Sequence, residues 1–247
     1  MRYLILSDMH GNWDAFEVVL RRARRKRFDA ALVLGDLVGY GAAPNQVVEA
    51  VRNLASRVYA VRGNHDKVVA GIDRGENFNH AALQAALWTS RRLTTANLRF
   101  VRELARGPVA IEQDLAICHG SPLDEDTYVF SDLDAFEIFS AHDVPVTFFG
   151  HTHIPSLFSL EGRQLSVMRL PGREGTIRLN PEGRYLVNPG SIGQPRDRDP
   201  RAAYMTYDSD RRIVHWYRVP YPIARAQARI RKAGLPAVLA DRLSVGA

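Results

Sequence analysis

Five short apolar runs in this chain each end directly in residues whose side chains bind metal ions. The five ends are Asp8–His10, Gly35-Asp36, Gly63–Asp66, His119-Gly120 and Gly150–His153. A short, continuous apolar run bounded by glycine predicts a buried strand. Ligand sites in open α/β sheets form outside the carboxyl ends of the strands, so we expect the five segments to converge at one edge.

The first part of the chain alternates strands with helices. Strands are predicted at Arg2–Ser7, Ala30–Leu34 and Val58–Val61, with helices over Asn12–Arg27 and Asn45–Ser56 between them. This β-α-β-α-β order predicts parallel pairing with right-handed crossovers, which is typical of the α/β class.

The remainder of the chain has a different character. Residues 67–107 carry helical patterns without a strand pattern, and we interpret them as a helical insertion beside the sheet. From Ser156 to Arg218, six short segments alternate with period two between turn signals, which predicts an antiparallel half of α+β character. Residues 222–247 are predicted to form a C-terminal helix and tail. A chain of 247 residues buries a sizeable core, and we expect one domain over residues 1–247.

The composition indicates which cellular compartment and which kinds of binding partner to expect. Cys118 is the only cysteine, and no apolar run approaches 18 residues, so intrachain disulfides, cysteine-bound zinc clusters and bilayer-spanning segments are excluded. We therefore expect a cytoplasmic protein without a membrane partner. The net charge of +6 allows an anionic partner, including nucleic acid, because basic residues are concentrated at Arg21–Arg27. A solvated helix end whose cations suit the helix dipole is the simpler interpretation of that segment.

The residues at the five strand ends form a set with a clear chemical preference. Apart from Asp66, they include two aspartates, one asparagine and, counting His65, five of the chain's eight histidines; without His65 these are seven side chains. Mixed imidazole and oxygen ligands suit Mn²⁺, Fe, Zn²⁺ or Ni²⁺ better than Mg²⁺ or Ca²⁺. Seven ligands are too many for one tetrahedral ion, whereas two ions about 3.5–4 Å apart share a carboxylate in known dinuclear sites. Each pair alone is common without a metal; the ordered set of five predicts a metal centre.

The same order of motifs resembles the calcineurin-like metallophosphoesterase superfamily. The resemblance covers about residues 1–208, and Asn188–Ser191 is similar to a further element of its small bacterial phosphodiesterase-like members. It implies a two-sheet β sandwich flanked by helices. It also implies two metal ions: one held by Asp8, His10, Asp36 and His153, the other by Asp36, Asn64, His119 and His151, with Asp36 bridging.

The resemblance also implies two residues that act beside the metals. His65 is expected near the phosphate, where it stabilises the transition state or protonates the leaving oxygen, and Asp66 is expected to orient His65. Two cations bind phosphate oxygens and lower the pKa of a bridging water toward about 7, so that hydroxide attacks in line. A proton donated by His65 contributes typically about 10²–10⁴-fold.

The motifs define the chemistry more closely than the substrate. A dinuclear-metal phosphodiesterase acting on a small phosphoester or nucleotide is the leading interpretation. A phosphomonoesterase or protein phosphatase and a symmetric dinucleoside tetraphosphatase use the same kind of centre and stay open. A non-catalytic binding protein is a further alternative, against which the complete ligand set argues.

For three residues near the motifs, the sequence is compatible with both a structural and a functional role. Tyr40 is either a loop tyrosine or a platform for a base, and Arg62 either forms an ion pair at its strand end or meets a phosphate. Arg196 lies in the charged run 196–199, which is either solvated or contributes a phosphate clamp.

Overall fold

The computed structural model describes residues 1–54 and 57–247. Within them, twelve strands form two six-stranded sheets. The first sheet contains, in spatial order, β3 (Val58–Ala60), β2 (Ala30–Val33), β1 (Arg2–Leu6), β11 (Ala202–Asp208), β12 (Ile213–Val219) and β9 (Glu174–Arg178). The second sheet contains β4 (Val109–Glu112), β5 (Leu115–Ile117), β6 (Val146–Phe148), β10 (Arg184–Asn188), β7 (Ser156–Glu161) and β8 (Gln164–Arg169).

The two sheets pack face to face through alternate side chains of their strands. Tyr3 and Ile5 of β1 share one buried cluster with Ile117, Phe148 and Val187 of the second sheet. Successive side chains of a strand point to opposite faces, so the remaining residues of β1 face outward from this interface. The predicted two-sheet sandwich is confirmed.

Helices cover the outer faces of the sandwich. The helices are α1 (Trp13–Ala23), α2 (Pro44–Arg52), α3 (Asn64–Val69), α4 (His80–Arg92), α5 (Thr95–Arg102), α6 (Asp132–Ala141), α7 (Ile223–Lys232) and α8 (Ala237–Asp241), followed by a 3₁₀ turn at Arg242–Ser244. Leu4 and Leu6 of β1 pack with Phe16 of α1 and Val47 of α2 in one cluster. In the described part of the chain, no helix is long and apolar enough to cross a membrane.

The parallel start of the chain is confirmed, because β1 pairs in parallel with β2 and β2 with β3. The prediction of a purely antiparallel second half is wrong at one strand. β10 pairs in parallel with β6, and the strands after His153 divide between both sheets. Period-two patterning shows that one face of a strand is buried, and it carries no information about the direction of the neighbouring strand.

The helical segment begins earlier than expected. α4 and α5 lie within the predicted 67–107, but α3 starts at Asn64, inside the Gly63–Asp66 motif. The predicted end of the second helix at Ser56 lies outside the described residues. That this segment is an insertion within a single domain stays a prediction.

Candidate metal centre

Four buried side chains converge beyond the carboxyl ends of three strands. Asp8 and His10 follow β1, Asp36 follows β2, and His153 follows β6. His153 Nε2 lies 3.2 Å from Asp8 Oδ1 and 3.1 Å from His10 Nε2, and His10 Nε2 lies 3.5 Å from Asp36 Oδ2. One donor atom from each residue lies within 4.8 Å of all the others, so the group fits a single divalent cation.

A second group forms on the other side of Asp36. His119 Nε2 lies 3.5 Å from Asp36 Oδ2, 3.1 Å from His151 Nδ1 and 3.2 Å from Asn64 Oδ1. Asp36 Oδ2 is therefore common to both groups. The structure brings together all seven residues predicted as ligands, in two sets that meet at one carboxylate.

The four imidazoles share a feature that fits metal binding. Each has its second ring nitrogen against a backbone carbonyl oxygen: His10 Nδ1 at 3.3 Å from Val38, His119 Nδ1 at 2.8 Å from Leu34, His151 Nε2 at 3.0 Å from Asp126 and His153 Nδ1 at 2.6 Å from Gln194. A carbonyl oxygen only accepts, so the proton resides on that nitrogen and a lone pair faces the site. Metal-ligating histidines are oriented in this way.

The backbone at these residues is held in an unusual conformation. Five of them have positive φ angles: Asp8 (53°), His10 (48°), Asp36 (51°), His151 (66°) and His153 (60°). Such a conformation costs about 1–3 kcal/mol for a residue other than glycine and persists only where its surroundings impose it. Several residues with positive φ angles at one site are typical of a functional centre. The sequence does not predict these backbone angles.

Glycine is required at two of the motif positions by close approach. A Cβ at Gly63 would lie 2.1 Å from Asp36 Oδ1, and a Cβ at Gly39 would lie 2.6 Å from His65 Nδ1. Gly39 also has a φ of 133°, which side chains avoid. The loops thus approach the shared carboxylate and His65 so closely that a side chain at position 39 or 63 would clash.

The two aspartates are perturbed in opposite directions. Burial alone would raise the pKa of Asp8, but the positive charge that His153 carries when protonated and the hydrogen bond from Ser7 Oγ to Asp8 Oδ2 bring it below its usual range. Burial and the neighbouring charge of Asp8 raise the pKa of Asp36 well above its usual range. Two buried carboxylates this close repel one another, and divalent cations between them offset that repulsion.

His65 lies beside the two groups, enclosed by other rings. Its ring centroid is 4.4 Å from that of Tyr40, 4.5 Å from that of Phe78 and 4.9 Å from that of His10. Burial, followed by the charge of Arg196, lowers the pKa of His65 well below its usual value. His65 therefore adjoins the predicted metal ligands, as expected.

The expected contact between Asp66 and His65 is not made. Asp66 instead accepts hydrogen bonds from the backbone N–H groups of Gly63, at 3.0 Å, and Val38, at 3.3 Å. Among the described residues, His65 Nδ1 has no hydrogen-bond partner. Asp66 thus joins the loop after β2 to the start of α3, and its effect on His65 passes through the backbone.

Arg62 and Tyr40 both have side-chain partners within the fold. Arg62 forms a two-pronged ion pair with Glu125, with N–O distances of 2.9 and 3.1 Å, so it is a structural residue. Tyr40 is buried and packs against His10 and His65. Tyr40 therefore supports the two histidines from the wall of the cleft.

The segment Asn188–Ser191 fastens the metal loops to the second half of the chain. Asn188 donates through Nδ2 to Gly150 O at 2.6 Å, and Ser191 donates through Oγ to Asp8 O at 2.9 Å. Sequence reasoning identified this segment without assigning it a role. Its role is to hold the loops after β1 and β6 in register.

The cleft over the centre has lining residues that the motifs did not predict. Phe78, Tyr128 and Asn77 lie at its wall with Arg196. The Tyr128 ring stacks on His151, with centroids 3.8 Å apart. No signal in a single sequence distinguishes these residues from other loop residues.

Comparison with known proteins supports the same chemistry. The profile of the calcineurin-like phosphoesterase superfamily domain matches residues 1–212. An uncharacterized protein of Methanocaldococcus jannaschii is 36% identical over 98% of this chain and 97% of its own length. The crystal structure of a metallophosphoesterase from Sphaerobacter thermophilus has a TM-score of 0.86 and 38% identity, covering 100% of this chain and 99% of that one.

Two partial similarities involve proteins with named activities. A symmetrical bis(5'-nucleosyl)-tetraphosphatase of Psychromonas ingrahamii is 33% identical over 30% of this chain and 28% of its own length. The phosphodiesterase YfcE of Escherichia coli is 34% identical over 28% of this chain and 42% of its own length.

Proposed function

This chain belongs to the calcineurin-like phosphoesterase superfamily, and we propose that within it the chain is a phosphodiesterase that works with two divalent metal ions. That it is a phosphoester hydrolase follows from the family and its named relatives. The observation that carries the two-metal proposal is Asp36 Oδ2, which lies 3.5 Å from both His10 Nε2 and His119 Nε2. The ligand assignments and the role of His65 are part of this proposal.

The proposed roles are metal binding for seven residues and donation to the substrate for His65. Asp8, His10, Asp36 and His153 would hold one ion, and Asp36, Asn64, His119 and His151 the other. Ions held there would polarise the phosphoryl oxygens and activate water near neutral pH. His65, beside His10, donates a hydrogen bond or a proton to the oxygen that gathers negative charge. Asp66 fixes the backbone that presents His65.

Mixed nitrogen and oxygen ligands favour Mn²⁺, Fe, Zn²⁺ or Ni²⁺. Manganese is our first choice for assay. The similarity to YfcE supports a diester as substrate, and the similarity to the tetraphosphatase makes a dinucleoside polyphosphate the second candidate. The cytoplasmic location expected from the cysteine count stays a prediction.

A substrate panel with Mn²⁺, Ni²⁺, Zn²⁺ and Mg²⁺ tests the proposal. The panel contains bis(p-nitrophenyl) phosphate, p-nitrophenyl phosphate, cyclic nucleotides and diadenosine tetraphosphate. We expect the highest kcat/KM for a diester with one of the first three metals. A higher value for the monoester or the tetraphosphate would replace the phosphodiesterase with that alternative. Binding of these compounds without turnover would favour a non-catalytic protein, and salt-dependent DNA affinity that survives metal removal would favour a nucleic-acid-binding role.

A further inference from the structure

Arg196 belongs to a loop that is fastened to a predicted metal ligand. Gln194 O lies 2.6 Å from His153 Nδ1, and Arg196 N donates to His153 O at 3.4 Å. The position of Arg196 is therefore set by the same contacts that orient His153. Its side chain lines the cleft that also contains Asp36 and His65.

Within the described part of the chain, the guanidinium of Arg196 hydrogen-bonds to neutral partners only. Nη2 donates to Tyr40 Oη at 3.2 Å and to Gln194 Oε1 at 3.3 Å, and the Arg196 Cζ atom lies 6.0 Å from the centre of the Tyr40 ring. Nε is buried and has no hydrogen-bond partner among residues 1–54 and 57–247. Guanidinium groups bind carboxylates and phosphates through two parallel N–H bonds, and this group has donors left for such a partner.

Four other basic side chains in this part of the fold are paired with carboxylates. Within the same part of the chain, Arg201 pairs with Asp199 at 2.5 Å, and Arg218 also pairs with Asp197. Across the cleft, Lys67 contacts Glu125 at 3.3 Å. Arg62 is paired with Glu125 as described above. Among the described residues, Arg196 lines the cleft without a carboxylate within ion-pair distance.

The positive charge of Arg196 favours the binding of an anion. Burial, and then the charge of Arg196, lowers the pKa of Arg242. A positive charge that raises the energy of its cationic neighbours is stabilised when an anion arrives beside it.

We propose that Arg196 is a substrate-binding residue that donates to a non-bridging oxygen of the phosphoryl group, and that Tyr40 is the positioning residue for its guanidinium. The inference rests on the proposed function, since a phosphoester is the anion that the centre would present. It resolves the open interpretation of the charged run: Arg196 contributes a phosphate contact, whereas Asp197 and Asp199 hold structural arginines.

Binding of inorganic phosphate to the full-length, Mn²⁺-loaded protein tests the proposal, measured by isothermal titration calorimetry. We expect R196Q to weaken phosphate binding by about tenfold or more, because a charge-assisted hydrogen bond is lost. R196K should lie between R196Q and wild type. R198Q is the matched control, since Arg198 is an exposed arginine two residues away, and its affinity should stay within about twofold of wild type.

Tyr40 is tested with Y40F in the wild-type and R196Q backgrounds. We expect Y40F to weaken phosphate binding a few-fold when Arg196 is present and to have no effect when it is absent. Equal effects in both backgrounds would show that Tyr40 acts only through packing and would overturn its positioning role.

Melting temperature and metal content accompany each variant. Wild-type phosphate affinity in R196Q with two metals bound would overturn the proposal. Loss of a metal ion in R196Q would also overturn it, since Arg196 would then serve His153 instead of the substrate. Phosphate binding that depends on Arg196, in a wild-type protein that cleaves no ester of the panel, would refute the proposed function and leave the anion site standing.

Discussion

His10 Nε2 and His153 Nε2 face each other at 3.1 Å, and both rings have their other nitrogen against a backbone carbonyl. Neither facing nitrogen therefore carries a proton, and the two lone pairs repel. His119 Nε2 and His151 Nδ1 repeat this relationship at 3.1 Å. The fold thus assembles two contacts that are unfavourable until a cation lies between the nitrogens.

Metal removal should consequently destabilise the protein. A ligand that binds only the folded state contributes about 2.7 kcal/mol for each site at a concentration one hundred times its Kd. We expect the melting temperature to fall on addition of a chelator and to recover with Mn²⁺, Zn²⁺ or Ni²⁺. The double variant H10A/H119A, which lacks a ligand in each group, is the control and should not respond to metal. An unchanged wild-type melting temperature with all three ions would contradict the prediction.

Substitution of the shared carboxylate should affect both ions together. D36N keeps the shape of Asp36 and removes its charge, so we expect less than one metal equivalent per chain by elemental analysis. H10A, which alters one group only, should keep about one equivalent and is the comparator. Two tightly bound metals in D36N would refute the bridging assignment.

Much of this centre could be predicted from the sequence because its ligands follow strands. A strand end followed by a glycine and a ligand is a local pattern, and the parallel order of β1, β2 and β3 brings such ends to one edge. The predicted alternation of strands and helices had the same local origin. The strand-end pattern therefore predicted that these side chains lie together, and the structure does bring the seven proposed ligands to one place.

What the sequence missed depends on contacts between distant segments. The parallel pairing of β10 with β6 joins strands about forty residues apart, and period two does not encode it. The partners of Asp66 and the contact of Arg196 with Tyr40 likewise depend on loops that meet only in the folded chain. Asp66 was expected to contact its sequence neighbour, whereas its carboxylate reaches Val38.

The contribution of His65 to catalysis should be independent of metal binding. H65A removes an imidazole that contacts Tyr40 and Phe78 and that belongs to neither ligand group. We expect both metals to remain and kcat to fall by about 10²–10⁴-fold. H80A, a change at an exposed histidine at the start of α4, is the matched control and should keep wild-type kcat. Loss of one metal ion in H65A would show instead that His65 is a ligand.

Gly63 should be intolerant of even one methyl group. Its φ of −103° suits any residue, so a defect in G63A would come from the Cβ that would lie 2.1 Å from Asp36 Oδ1. We expect G63A to displace Asp36, to bind both metals more weakly and to lose about 1–3 kcal/mol of stability from overpacking. G162A, in the turn between β7 and β8 where a Cβ meets no atom within 4 Å, should keep both metals, and any stability that it loses comes from its φ of 60°. Wild-type metal content in G63A would show that the loop containing residue 63 moves and that Asp36 stays in place.

The ion-pair cluster around Glu125 should make stability depend on pH. Burial would raise the pKa of Glu125, but the hydrogen bond from Arg62 and the charge of Lys67 bring it below its ordinary value of 4.5. The unfolded carboxyl thus takes up its proton first as the pH falls, so this contribution is complete above pH 4.5 and is lost below it. With a chelator present, we expect E125Q to lose about 1.5–3 kcal/mol at pH 7 in urea unfolding. That difference should shrink between pH 7 and a pH below the lowered pKa of the folded carboxyl, where wild type is protonated too. E182Q, in an exposed turn, serves as control, and an E125Q deficit that is equal at both pH values would contradict the charge-based account.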